Sequence, residues 1–252
     1  MTSARRAGSD LHPATRGFEL AADAYERGRP DYPAAAIDWL VDQFDLGPGR
    51  TVVDLAAGTG KLTRLLVPSG ADVVAVEPIA EMRVKIEHAR VIEGTAEEIP
   101  LPDASADVVA VAQAFHWFRA EEALAEIHRV LRPGGGLALV WNTRDDTESL
   151  HAAVSAILAP LDHGTPRRHK KDWAAIVDAS GLFAPTESVT FEHEQLVDED
   201  GLVERFTSVS FVAAAPPAVR ADVESQLRAL ARAAGTPIRV PYVTEVYVAL
   251  RA

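Results

Sequence analysis

The residues best suited to do chemistry are two acids, each at the end of a short apolar run. Asp54 lies in Thr51–Leu55 (TVVDL), followed by Ala56-Ala57-Gly58-Thr59-Gly60-Lys61, and Glu77 closes Asp72–Glu77 (DVVAVE) before Pro78. Glycines in such a turn let the backbone pass close to a ligand with no Cβ in the way. A carboxylate ending the next strand can accept both hydroxyls of a ribose. Further along stands Gln113-Ala114-Phe115-His116-Trp117-Phe118. His116 is a candidate general base for a hydroxyl or a protonated amine. It serves equally well as a histidine that shapes a pocket and never takes a proton. Trp117 is either a pocket wall or core packing. Trp141 and Arg144 leave a fifth apolar run as candidate substrate contacts, where Arg144 could pair with an anionic substrate or stand solvated.

Several ligands compete for this turn. A dinucleotide fingerprint needs G-x-G-x-x-G, but Thr63 stands where its third glycine belongs. A phosphate loop needs G-x-x-x-x-G-K-[ST], and that spacing is absent. Two anions flanking the site also suit a pyrophosphate poorly. A positively charged nucleoside with vicinal ribose hydroxyls suits Asp54 and Glu77 better. A NAD-dependent dehydrogenase is therefore the weaker alternative. The eight histidines form no HxH, HxxxH or HExxH pattern, so no metal site is expected.

These side chains must be positioned by the elements around them. Valine-rich runs at Thr51–Leu55, Asp72–Glu77, Arg90–Glu93, Ala106–Ala112 and Gly136–Trp141 read as strands buried on both faces. Helical patterns at Lys61–Leu66, Ala80–His88 and Ala120–Leu131 lie between them. The alternation predicts a parallel sheet with right-handed crossovers and helices on both faces. Glu187–Gln195 and Tyr242–Leu250 add two strands, with helices near Gly201–Val212 and Ala218–Ala234 between them. The expected organisation is a flexible arm over 1–17 and a single domain over 18–252. Within it, 18–45 form lid helices, broken around Arg29-Pro30-Asp31-Tyr32-Pro33, and 146–185 form a cap insertion.

Composition bounds the rest. The chain has 252 residues, a formal net charge of −12 and no cysteine. The missing cysteine excludes disulfides, thiolate metal sites and a cysteine nucleophile. An acidic balance repels phosphate backbones, so nucleic acid is not the expected partner. The basic run Arg167–Lys171 is short and lacks aromatics, reading as a solvated loop or as a trap for an acidic ligand. No apolar run is long enough for a signal-peptide core or a membrane span, so a cytoplasmic location and no membrane partner are expected. No signature marks an oligomeric state.

Taken together, D-x-A-x-G-x-G at Asp54–Gly60, the acid Glu77, Gly94-Thr95-Ala96-Glu97, Gln113–Phe118 and Leu131-Arg132-Pro133-Gly134-Gly135 resemble the class I methyltransferases that use S-adenosylmethionine. Tyr25-Glu26-x-x-Arg29-Pro30-x-Tyr32-Pro33 is similar to the small-molecule branch that includes trans-aconitate methyltransferase-like proteins. The resemblance implies a Rossmann-like, seven-stranded, mostly parallel sheet. It implies methyl transfer to an O or N atom of a small-molecule metabolite, with S-adenosylhomocysteine as product. A non-methylating or regulatory member of the same fold, binding the same cofactor, is the alternative. The resemblance places the methionine end of the cofactor on Asp54, Ala56, Gly58 and Gly60, with the backbone of Gln113 facing its amino-acid end. It gives the ribose to Glu77, with Pro78 and Met82 packed nearby, and the adenine to Ala96 and Glu97. Tyr25 and Arg29 belong to the lid. One departure is Ala56, where the family usually has a glycine.

Overall fold

The computed structural model describes residues 28–144, 147–162 and 172–252. The arm, Tyr25 and the basic run Arg167–Lys171 lie outside the described residues. Among the described residues, α1 (Ala34–Gln43) comes first, followed by β1 (Thr51–Leu55), α2 (Lys61–Leu66), β2 (Asp72–Val76), α3 (Ala80–Arg83), β3 (Arg90–Ile92) and β4 (Ala106–Ala112). A 3-10 turn at Phe115–Trp117 leads to α4 (Ala120–Val130) and β5 (Leu131–Thr143). Then come α5 (Ser149–Leu158), α6 (Trp173–Ala179), β6 (Glu187–Val197), α7 (Glu199–Thr207), α8 (Ser210–Ala213), α9 (Pro217–Ala234) and β7 (Ile238–Leu250).

The seven strands form one sheet in the order β3-β2-β1-β4-β5-β7-β6. β1 to β5 run parallel, whereas β7 pairs antiparallel with both β5 and β6. This is the α/β Rossmann-like fold that the resemblance implies, with the parallel sheet expected from the alternation. Strand order reverses at β1/β4, and in open α/β sheets a crevice opens there at the carboxyl edge. The apolar strands are sealed from both sides. Val53, Leu55, Val109 and Val111 pack with α4 and α6, while Val52, Val108 and Val140 pack with α1 and α2 on the opposite face.

A third apolar cluster lies outside these two layers. It joins Val154 and Leu158 of α5, Leu202 and Phe206 of α7, and Val223 and Leu227 of α9 to Ile238, Val240 and Tyr242 at the start of β7. The described parts of the 146–185 segment are thus shared between two places. α5 enters this cluster, whereas Trp173 and Val177 of α6 belong to the core beneath the sheet.

Several expected boundaries move, and the helix expected near Gly201–Val212 is two, Glu199–Thr207 and Ser210–Ala213. Ala80–His88 is helical only to Arg83, whose guanidinium turns back to the carbonyls of Glu77 and Pro78. β5 begins at Leu131 rather than Gly136, because the chain enters the sheet directly from α4. β7 begins at Ile238 rather than Tyr242, with Pro241 opposite Glu194 in the ladder. Asp107 ties the lower edge together, accepting hydrogen bonds from the Thr51 amide at 2.8 Å, from Arg50 at 3.1 Å and from Arg132. No helix of the described residues is long and apolar enough to cross a membrane, and none of them forms a metal-binding cluster.

Candidate active site

Asp54 and Glu77 lie where β1 and β2 reach the carboxyl edge, exposed by only 1% and 3%. Asp54 Oδ2 accepts a hydrogen bond from the Thr63 hydroxyl at 2.6 Å. Its Oδ1 is sealed from solvent and has no partner among the described residues. Burial pushes the Asp54 carboxyl up to about 6 despite that bond. Thr63, on α2, occupies the place where a dinucleotide fingerprint would set its last glycine. The hydroxyl explains the substitution, because it fastens the helix to the strand's terminal acid.

Glu77 is held just as firmly. Its Oε2 accepts from the Gly58 amide at 2.8 Å and its Oε1 from the Ile79 amide at 2.9 Å. Burial is the largest influence on this carboxyl and raises it to about 7, against the pull of those two amides. Each carboxylate oxygen keeps a second lone pair, so Glu77 can still receive two hydroxyl donors. The Gly58 bond also clamps the turn after β1 to the end of β2.

That turn is held in a left-handed backbone. Ala56, Gly58 and Gly60 have φ of +58°, +60° and +86°. The region suits glycine and costs an alanine about 1 kcal/mol, so Ala56 keeps the conformation without the residue that relaxes it. The Gly58 Cα faces Met82, whose buried sulfur lies 3.8 Å from where a Cβ would stand. Pro78 is half-buried beside it. An open cleft runs past the turn, lined by Ala56, Gly58, Lys61 and Gln113 from the sheet edge, by Arg29 and Tyr32 from the N-terminal segment, and by Arg205 from α7.

Other expected residues take definite places. Gln113 also has positive φ, +58°, and its amide donates to the Val140 carbonyl while its side chain donates to that of Asn142. Ala96 is buried in the core. Glu97 accepts the Arg119 amide at 2.9 Å, just before α4, which leaves its other oxygen for a ligand. His116 and Trp117 lie past β4, with ring centres 4.9 Å apart. Burial, aided by the nearby Arg29 charge, pushes the His116 imidazole down to about 4, so it is neutral near pH 7. A group this weakly basic drives little proton removal from an alcohol or an ammonium.

Trp141, a candidate substrate contact, lies in the interior. Its ring is wholly inaccessible, packed 6.5 Å from Trp173 and 5.3 Å from His116. It supports the pocket from below and does not line it. Arg144 lies with its guanidinium carbon 5.3 Å from the Phe206 ring centre.

The N-terminal segment docks over this edge. Asp31 takes Lys61 at 3.1 Å and Arg64 at 2.6 Å, and its carbonyl accepts from Asn142 at 3.1 Å. Gly28 abuts α7 so closely that a Cβ would stand 2.7 Å from backbone atoms of Glu204 and Arg205.

A methyltransferase-domain family model matches residues 53–139, the stretch holding both acids, the turn and His116. An uncharacterised methyltransferase of Mycobacterium bovis is 41% identical over 236 residues, covering 90% of this chain and 92% of its own. The chain belongs to the methyltransferase family. An uncharacterised methyltransferase-like protein of Schizosaccharomyces pombe is 36% identical over 220 residues, covering 85% of this chain and 86% of its own. Among solved structures, a protein described as a type II methyltransferase from Anaeromyxobacter dehalogenans superposes with a TM-score of 0.62 at 28% identity, over 88% of this chain and 97% of that one. This methyltransferase depends on S-adenosylmethionine as its methyl donor, in keeping with the paired acids at the switch point.

Sequence reading missed Thr63, Lys61, Asp31 and Arg205. Thr63 carried a signal, since a polar residue three places after Gly60 sits one helical turn from the strand end. Arg205 carried a fainter one, a lone cation within the apolar Leu202–Phe206 face.

Proposed function

We propose that this methyltransferase moves the methyl group of S-adenosylmethionine to an oxygen or nitrogen of a small molecule, as a member of the small-molecule branch. The observation that carries the reading is the pair of buried carboxylates, Asp54 with one unpartnered oxygen and Glu77 with spare lone pairs, flanking a left-handed turn. Such a pair fits a cation that also presents vicinal hydroxyls. Glu77 takes the ribose hydroxyls, Asp54 and the Ala56–Gly60 turn hold the methionine end, and Met82 with Pro78 packs against the nucleoside. Ala96 and the free oxygen of Glu97 meet the adenine. The bound cofactor supplies an activated methyl on a positively charged sulfur, which leaves as a neutral thioether.

The protein contributes position and dryness. Arg29 and Tyr32 close the cleft from the N-terminal segment, which acts as a lid. The layer of α5, α7 and α9 caps the acceptor side. His116 shapes the acceptor pocket and leaves proton removal to solvent, consistent with its low basicity. Calorimetric titration with S-adenosylhomocysteine tests the reading. One site per chain is expected, weakened at least a hundredfold by Glu77→Ala. No binding to the wild type, or undiminished binding to the variant, contradicts it.

A further inference from the structure

Arg205 carries a buried positive charge that no acid among the described residues answers. α7 turns Leu202, Arg205 and Phe206 inward, and Arg205 is only 5% exposed. Its Nε donates to the Tyr242 hydroxyl at 2.7 Å. The guanidinium carbon lies 5.0 Å from the Phe206 ring centre and 5.6 Å from that of Tyr242. One hydrogen bond and two aromatic faces therefore fix its plane. Nη1 is sealed and has no partner among the described residues.

A guanidinium taken out of water is costly unless a counter-charge meets it. Aromatic faces offset only part of that cost. Arg205 lines the same cleft as Gly58 and Gln113, so the missing charge can arrive with a ligand. On the methyltransferase reading a cofactor and an acceptor share that cleft, and the sheet order separates their seats. Glu77, the turn and Gln113 belong to β2, β1 and β4, whereas Tyr242 belongs to β7, beyond β5. Arg144, leaving β5, brings a second guanidinium to the Phe206 ring. Arg205 thus stands on the side away from the ribose acid, with another cation beside it.

We propose that Arg205, oriented by Tyr242, anchors an oxyanion of the methyl acceptor, so that the acceptor is a small molecule bearing a carboxylate or phosphate group. Arg205 then sets specificity, since a neutral analogue would leave its charge buried and unpaired. The inference rests on the methyltransferase reading of the cleft.

The test uses full-length protein saturated with S-adenosylhomocysteine and labelled with 15N-arginine. The Nε–H signal of Arg205 is assigned by its loss in Arg205→Met, then followed while acetate, inorganic phosphate or neutral acetamide is added. A saturable shift with either anion and none with acetamide is expected. By calorimetry, Arg205→Met is expected to weaken the anion at least tenfold with cofactor-product affinity held within twofold, and Arg205→Lys to restore part of the loss. No saturable shift, or an equal response to acetamide, overturns the proposal. So does an anion response seen only before S-adenosylhomocysteine is added, because Arg205 would then serve the cofactor's own carboxylate. Failure of S-adenosylhomocysteine to bind at all contradicts the cofactor site instead, and the same titration on the free protein still reads the anion seat.

Discussion

Cofactor affinity should depend steeply on pH, because the acids that receive the cofactor resist ionisation. Burial raises Glu77 from 4.5 to about 7 and Asp54 from 3.8 to about 6. The site needs both as carboxylates, Glu77 to accept ribose hydroxyls and Asp54 to face the cationic end. Going from about pH 8 to about pH 6, the ionised fraction of Glu77 falls about tenfold and that of Asp54 about twofold. Their product is a loss of about 20-fold in affinity, or about 1.8 kcal/mol, with about 1.4 protons released on binding near pH 6. Stability of the free protein moves the other way. A carboxyl whose folded value is raised binds its proton more tightly when folded, so stability falls as pH rises from 4.5 towards 7. The thermal shift produced by S-adenosylhomocysteine should therefore be larger at about pH 8 than at about pH 6. Isothermal calorimetry in buffers of different ionisation enthalpy reads both the affinity and the proton count. In Glu77→Gln the pH effect should shrink to about the twofold contributed by Asp54. An affinity flat across this range, or rising as pH falls, would refute the reasoning.

Other consequences are checked by simpler means. Thr63→Val deprives the buried Asp54 of its hydroxyl donor and should cost about 2 kcal/mol in urea unfolding at pH 8. The cost should be smaller at pH 5, where Asp54 holds its proton. Gly28→Ala sets a Cβ against the α7 backbone, so activity assays should show weaker cofactor use by about tenfold through a displaced lid. Its melting temperature should move by only a few degrees. Asp107→Ala leaves the Thr51 amide, Arg50 and Arg132 without their shared acceptor, with an expected loss of about 3 kcal/mol. Binding of S-adenosylhomocysteine to that folded variant should be unchanged. His116→Gln should alter the rate without altering the shape of its pH profile, since the imidazole stays neutral above about pH 5. A limb of the profile that disappears in the variant would restore the base role.

Much of this site was legible because it is local. The strand Thr51–Leu55, its turn and the helix Lys61–Leu66 are consecutive, and burial on both faces writes itself as unbroken valine. Strand and helix limits at Ala106–Ala112 and Lys61–Leu66 match the sequence reading for that reason. What was hidden depends on residues far apart in the chain. Trp141, a candidate substrate contact in the sequence, is covered by Trp173 of α6. Arg205 and Tyr242 meet across 37 positions, and no spacing rule announces such a pair. The start of β7 was obscured by Pro241, a residue that argues against a strand until its place in the ladder is known. Likewise, the low basicity of His116 comes from burial and from Arg29 on the docked N-terminal segment, neither of which its neighbours in sequence reveal.

A crystal structure of the complex with S-adenosylhomocysteine tests the central claim most directly. Both ribose hydroxyls are expected on the Glu77 carboxylate, the homocysteine end against the Ala56–Gly60 turn, and the sulfur facing the side of the cleft where Arg205 stands. A nucleoside bound elsewhere, or one whose ribose leaves Glu77 bonded only to Gly58 and Ile79, would contradict it.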